Sequence, residues 1–88
     1  MRLSSTTRFT RDIRRATRRG KDLAELWSVV EALLSGEELS ARHRPHRLSG
    51  QWSQHWECHI EPDWLLIWTY TDETLVLVRT GTHADLFG

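Results

Sequence analysis

Two stretches, Trp64-Leu65-Leu66-Ile67-Trp68 and Leu75-Val76-Leu77-Val78, are apolar at every position. Successive side chains of a β-strand point to opposite faces, so a run without polar alternation is buried on both. The two runs are therefore read as central strands, joined by a turn at Thr71-Asp72-Glu73-Thr74. The stretch before them differs. Trp56, Cys58 and Ile60 alternate with Glu57, His59 and Glu61, the period of a strand with one wet face, and Pro62-Asp63 is the turn that leads into Trp64.

The N-terminal half carries the other period. Phe9, Ile13 and Ala16 form one helical stripe that stops at Gly20, after a weak strand signal over residues 3–8. Asp22 caps a second helix, with Glu25 three residues on, and Leu23, Leu26, Trp27, Val30, Leu33 and Leu34 fall on one face before Gly36. Trp27 is read as core. Two helices joined across one glycine form a hairpin that lays its apolar stripe on something flat. The expectation is a single α+β domain over residues 1–88, with two N-terminal helices packed on a small, twisted, mainly antiparallel sheet of three to four strands. Gly36 to about Ser53 has no clear period and is read as a long loop; its Arg42-His43-Arg44-Pro45-His46-Arg47 segment is basic and proline-broken.

Charge is balanced in sum but not in place. Residues 1–21 carry eight basic groups against Asp12 alone, and Arg42, Arg44 and Arg47 add a second basic cluster. From Leu48 onward six acids face the single Arg79. That asymmetry points to a polyanion or an acidic protein partner for the N-terminal half, against the plainer reading of a solvated helix face. No apolar run is long enough to span a bilayer, and the N-terminus lacks the apolar core of a signal peptide, so a cytoplasmic setting is expected. The one cysteine, Cys58, cannot form an internal disulfide; its parity points it inward as a small buried hydrophobe.

The proton-handling residues collect around the proline turn. His59 lies on the polar parity of its strand, and Asp63 follows beyond the turn. His83 closes Arg79-Thr80-Gly81-Thr82-His83, at the end of a strand that a meander would pair with the one starting at Trp64. This register gathers His59, Asp63 and His83 at one end of the sheet, within reach of His46 in the basic loop. Imidazole can take and give a proton near neutral pH, which suits general acid–base catalysis. With arginines close by, a phosphodiester is the natural substrate: a base takes the proton of a ribose 2′-hydroxyl, Arg79 steadies the phosphorane, and an acid protonates the leaving 5′-oxygen. The same donors suit a transition metal, although the spacing matches no zinc motif, and they could equally be unrelated surface groups. Of the tryptophans, Trp68 is read as core, and Trp64 is the one whose position leaves base stacking open. Phe87 either staples the tail or stacks on a base.

The run His59-Ile60-Glu61-Pro62-Asp63-Trp64-Leu65-Leu66-Ile67, followed by Arg79-Thr80-Gly81-Thr82-His83-Ala84-Asp85-Leu86-Phe87, strongly resembles the YafQ-type toxins of the RelE/ParE superfamily. The likeness extends to Phe9, the Arg19-Gly20-Lys21 junction and the His46…Leu48-Ser49-Gly50…Trp52 segment. It implies a RelE-like fold and a type II toxin that cuts mRNA on the translating ribosome, without metal or other cofactor, through the 2′-hydroxyl. It also implies neutralisation by a cognate antitoxin in a hetero-oligomer. The matching catalytic positions are His46, His59, Asp63 and His83, with His83 as general acid and either His59 or Asp63 as base. Arg79, Trp64, Phe87, Arg44 and Arg47 are the implied substrate contacts. The gyrase-blocking ParE branch, which acts by protein binding, is the alternative; it lacks the clustered histidines and aspartate. The chain departs from the family pattern in the order of Arg44-Pro45-His46-Arg47, in Trp68 for a usual tyrosine, and in Trp56 for a common basic residue.

Overall fold

Both apolar runs lie at the middle of one five-stranded sheet. The computed structural model describes residues 1–88 and contains, in order, strand Arg2–Ser5 (β1), helices Thr7–Arg18 (α1) and Leu23–Leu34 (α2), strands His46–Arg47 (β2), Trp56–Glu61 (β3), Trp64–Thr71 (β4) and Thr74–Gly81 (β5), and helix His83–Phe87 (α3). The spatial order is β1-β5-β4-β3-β2. Neighbours from β2 through β5 pair antiparallel, and β1 pairs parallel with β5. The α+β class is as expected, but the strand count of three to four is corrected to five. The added strand is β2, whose two residues, His46 and Arg47, are too few to show a period. The N-terminal strand is shorter than the predicted 3–8 because Thr6 is taken by the helix: its Oγ1 accepts from the Phe9 N–H at 3.0 Å.

The continuous apolar character of β4 has a direct cause. Trp64, Leu66 and Trp68 face the helices, where Phe9, Ala16, Leu26, Val30 and Leu33 complete the main core with Cys58, Ile60, Leu75 and Leu77. Leu65 and Ile67 face the other way and meet Leu86 of α3, with Leu48, Trp52 and Val78 around them. Each face of the strand thus has its own cover, and alternation is lost because neither side is wet. Burial pushes the Cys58 thiol up to about 12, in keeping with its inward parity. Trp27 corrects the reading of it as core. The buried stripe of α2 is Leu26, Val29, Val30 and Leu33, which turns Trp27 to the rim, 41% exposed and edge-on to Phe9.

The helix hairpin turns where Gly20 adopts φ +79°, and Lys21 N–H reaches back to the Ala16 carbonyl at 3.0 Å. A buried ion pair ties α1 to β5. Asp12 accepts from Arg79 Nε at 2.7 Å and Nη2 at 3.1 Å, from the Thr80 N–H at 3.1 Å, and from Arg15 at 2.9 Å. This connection sits at the end of β5 that leads into α3, and so it supports the region where the histidines meet.

Candidate active site

His59 and Glu57 lie on the face of β3 opposite Cys58 and Ile60, as the strand's alternation requires. His59 is half-buried. The Pro62-Asp63 turn then reverses the chain into β4, with a register shift between His59 and Glu61. Asp63 projects at this turn toward the start of α3. The expectation that His83 ends a strand is corrected here: β5 stops at Gly81, and His83 is the first residue of α3, after Thr82 as N-cap. An N-terminal helical residue has a free backbone N–H, and that of His83 donates to Asp63 Oδ1 at 2.9 Å. The His83 ring reaches the same oxygen through Nδ1 at 2.6 Å. A carboxylate can only accept, so Nδ1 carries the hydrogen and Nε2 is the ring atom left to exchange a proton. The His59 ring stands edge-on to His83 with centroids 5.7 Å apart.

The local field gives these groups different protonation habits. Burial holds the His59 imidazole below its ordinary range, and the nearby Arg44, His83 and His46 add to the effect, with Glu57 alone opposing it. His59 is thereby kept neutral and able to accept a proton. The backbone and ring hydrogen bonds from His83 hold the Asp63 carboxyl below the usual carboxylate range. A carboxylate committed in this way is a weaker base. The dyad is open to water, with side chains 54% exposed at His83 and 64% at Asp63.

His46 stands one strand out. It lies opposite Glu57 in the β2–β3 register, with Nε2 3.3 Å from Glu57 Oε1, while Nδ1 donates to the Arg44 carbonyl at 3.0 Å. Its charge acts on His59, but it is not in the Asp63–His83 hydrogen-bond pair. Arg44, in a left-handed conformation at φ 49°, shares an open groove with Arg42, His59 and Pro62. Arg47 lies over the Trp56 ring, 5.2 Å from its centroid. Phe87 is 47% exposed and edge-on to Trp52.

Two expected substrate contacts are corrected. Trp64 is 2% exposed, and its Nε1 donates to Thr80 Oγ1 at 2.9 Å inside the main core; no base could stack on it. Arg79 is 7% exposed, with its guanidinium turned to Asp12 rather than to the histidines. Other residues of the site went unnoticed in the sequence. His43 is buried, and its Nδ1 donates to the His59 carbonyl at 2.9 Å, which pins the basic loop to β3. Glu57 is a buried carboxylate on His59's own face, with Oε2 unpartnered. Its parity with His59 was the signal that could have found it. No three His, Cys, Asp or Glu side chains converge as a metal-ligand group.

Comparisons with known proteins place the chain in a family. A family model described as the YafQ bacterial toxin of type II toxin–antitoxin systems matches residues 1–88. The mRNA interferase toxin YafQ of Escherichia coli K12 is 40% identical over 81 residues, covering 91% of this chain and 88% of the relative. In the crystal structure of the E. coli DinJ-YafQ complex, the matching chain superposes with a TM-score of 0.92 at 37% identity, over 100% of both chains. A metal-bound toxin from Helicobacter pylori gives a TM-score of 0.93 at 32% identity, over 99% of each chain.

Proposed function

This chain belongs to the YafQ family of type II toxins, and from that membership we propose that it is an endoribonuclease that cleaves mRNA at the ribosome through the RNA's own 2′-hydroxyl. The observation that carries the mechanism is the Asp63–His83 pair beside a neutral His59. His59 takes the proton of the 2′-hydroxyl. The 2′-oxygen attacks phosphorus, the bond from phosphorus to the 5′-oxygen breaks, and His83, entering the step as the imidazolium with Nδ1–H still on Asp63, gives its Nε2 proton to the leaving oxygen. The products are a 2′,3′-cyclic phosphate and a free 5′-hydroxyl, and no metal takes part. Asp63 fixes the His83 ring rather than serving as the base, because both of its hydrogen bonds from His83 favour the bound carboxylate. Each proton-transfer group contributes roughly 10²–10⁴ in rate.

Arg44, Arg47 and the exposed His46 meet the RNA backbone, and Phe87 stacks on a base. Ribosome dependence has a physical rationale in the exposure of the dyad. Acid–base groups bathed in water lack the water-excluded surroundings that strengthen charge stabilisation, and a large partner that covers them supplies the missing wall. In the cytoplasm the toxin is held inactive by a cognate antitoxin, as a hetero-oligomer of the kind that the E. coli DinJ-YafQ complex exemplifies. The antitoxin presents an acidic segment to the exposed arginines of α1.

The test is to induce the chain in cells and map mRNA 5′ ends on ribosomes for wild type, His83→Ala and His59→Ala. New 5′-hydroxyl ends are expected for wild type, with a loss of at least about a hundredfold for each variant. Arrested growth without new ends would sink the nuclease reading. Because the H. pylori toxin of the same fold was crystallised with metal, a second arm adds chelator-stripped toxin to magnesium-containing ribosomes. Activity that vanishes and returns with zinc or copper overturns the metal-free mechanism.

A further inference from the structure

The short helix that carries His83 is bolted to the end of α1. At five residues, α3 is far below the roughly 12–15 that an isolated helix needs in water. Its start is held by a capping box: Thr82 Oγ1 accepts from the Asp85 N–H at 3.0 Å, and Asp85 Oδ2 accepts from the Thr82 N–H at 2.9 Å. The same Asp85 carboxylate reaches across to the C-terminal end of α1. Arg19 grips both of its oxygens, Nη1 to Oδ2 at 2.6 Å and Nη2 to Oδ1 at 3.2 Å, and Arg15 stands 3.6 Å from Oδ2. Arg15 also donates to Asp12, the carboxylate that secures Arg79 and Thr80 at the end of β5. One chain of charges therefore links β5, α1 and α3 directly behind His83. Neither Arg19 nor Asp85 faces the Asp63–His83 pair through a hydrogen bond of its own.

We infer that Arg19 and Asp85 are positioning residues of the active site: their bidentate pair fixes α3 on α1 and so sets the His83 ring against Asp63. A planar guanidinium fork on a carboxylate resists both rotation and sliding, which a single point contact would not. The contact it protects has little tolerance. His83 offers both its N–H and its Nδ1 to one oxygen of Asp63, and a displacement of α3 by about 1 Å would break the alignment, a shift that can cost on the order of 10²-fold in rate. The pair acts through His83 and touches no reacting atom.

The experiment has a kinetic arm and a spectroscopic arm, and only the kinetic arm rests on the nuclease reading. Arg19→Ala and Asp85→Asn are compared with wild type, and the asparagine retains a side-chain acceptor for the Thr82 N–H. Cleavage on ribosomes is expected to lose about ten- to a hundredfold in kcat with KM within about twofold, and Arg19→Lys should recover part of the loss. In the free protein, the ring 15N shifts of neutral His83 report which nitrogen carries the hydrogen. Wild type is expected to show the Nδ1–H tautomer held by Asp63, and Arg19→Ala a shift toward Nε2–H. Arg18→Ala, which removes an exposed neighbouring charge on the same helix, should leave the His83 tautomer as in wild type. An Arg19→Ala protein with unchanged tautomer balance overturns the inference. So does a rise in KM alone, which would make Arg19 a substrate contact, or an equal tautomer shift in Arg18→Ala. If wild type does not cleave at all, the nuclease reading fails and the tautomer comparison alone decides the role of the pair.

Discussion

His59 and Asp63 are both titratable, both near the turn, and held without a proton for different reasons by what surrounds them. Burial and three cationic or ionisable neighbours disfavour a proton on His59, whereas His83 keeps Asp63 charged. The sign of the pH effect follows. The folded chain binds a proton at His59 less readily than the unfolded chain does, whose ring titrates near 6.5. The contribution of His59 to stability is therefore fully present above that value and is lost as pH falls below it, until the folded ring also protonates. His59→Gln removes this dependence. Between about pH 7.5 and about pH 5.5 the melting temperature of wild type should fall further than that of His59→Gln. The acid limb of kcat/KM for cleavage should lie below 6.5 in wild type and be absent from the residual activity of the variant. An unchanged gap in melting temperature would show that His59 is not held neutral. The residue scale is also where the sequence misleads most. Trp64 and Arg79 have the right chemistry for stacking and for phosphate, yet the core takes one and Asp12 the other.

At the scale of elements, the joint between β5 and α3 decides whether His83 can meet Asp63. Gly81 sits at that joint, where a Cβ would lie 2.9 Å from both Cβ and Oδ2 of Asp85. Neither strand nor helix can yield there without moving the capping box. Gly81→Ala should therefore cost about 1–3 kcal/mol in chemical denaturation, from overpacking against the Asp85 side chain. A loss below about 0.5 kcal/mol would mean that the joint is not tightly packed. The basic loop makes the complementary point. It has no period because it contains only two 3-10 turns and the two-residue β2, yet it is not loose: buried His43 fastens it to the His59 carbonyl. A single side-chain anchor of this kind leaves no repeating pattern in a sequence.

Across the whole molecule, one buried pair joins the layers. Asp12 is 4% exposed and satisfies Arg79, which is 7% exposed, along with the Thr80 N–H. Its removal strands a buried cation, and Asp12→Ala should destabilise the fold by about 3–5 kcal/mol in urea or thermal unfolding. Arg79→Met in the Asp12→Ala background should recover part of that loss, since the stranded charge is gone. A loss no larger than that of a surface substitution would place the pair outside the cooperative core. The N-terminal charge excess is also divided at this scale. Arg15 and Arg19 are committed to Asp12 and Asp85, while Arg8, Arg11, Arg14 and Arg18 make no ion pair.

The sequence by itself determined the local and periodic features. It placed both central strands, both N-terminal helices, the helix stop at Gly20, the Pro62-Asp63 turn and the inward parity of Cys58, because each depends on side-chain spacing within a few residues. Through two motifs it also carried the family likeness. Only the tertiary structure decided which polar groups are free to act. Asp63 and His83 lie 20 positions apart, and Asp12 and Arg79 lie 67 apart. Whether such groups meet depends on strand register, on the start of α3 and on how α1 lies across β5. The first pair is left open to solvent and chemistry. The second is enclosed between layers, where an unpaired charge would cost too much to keep.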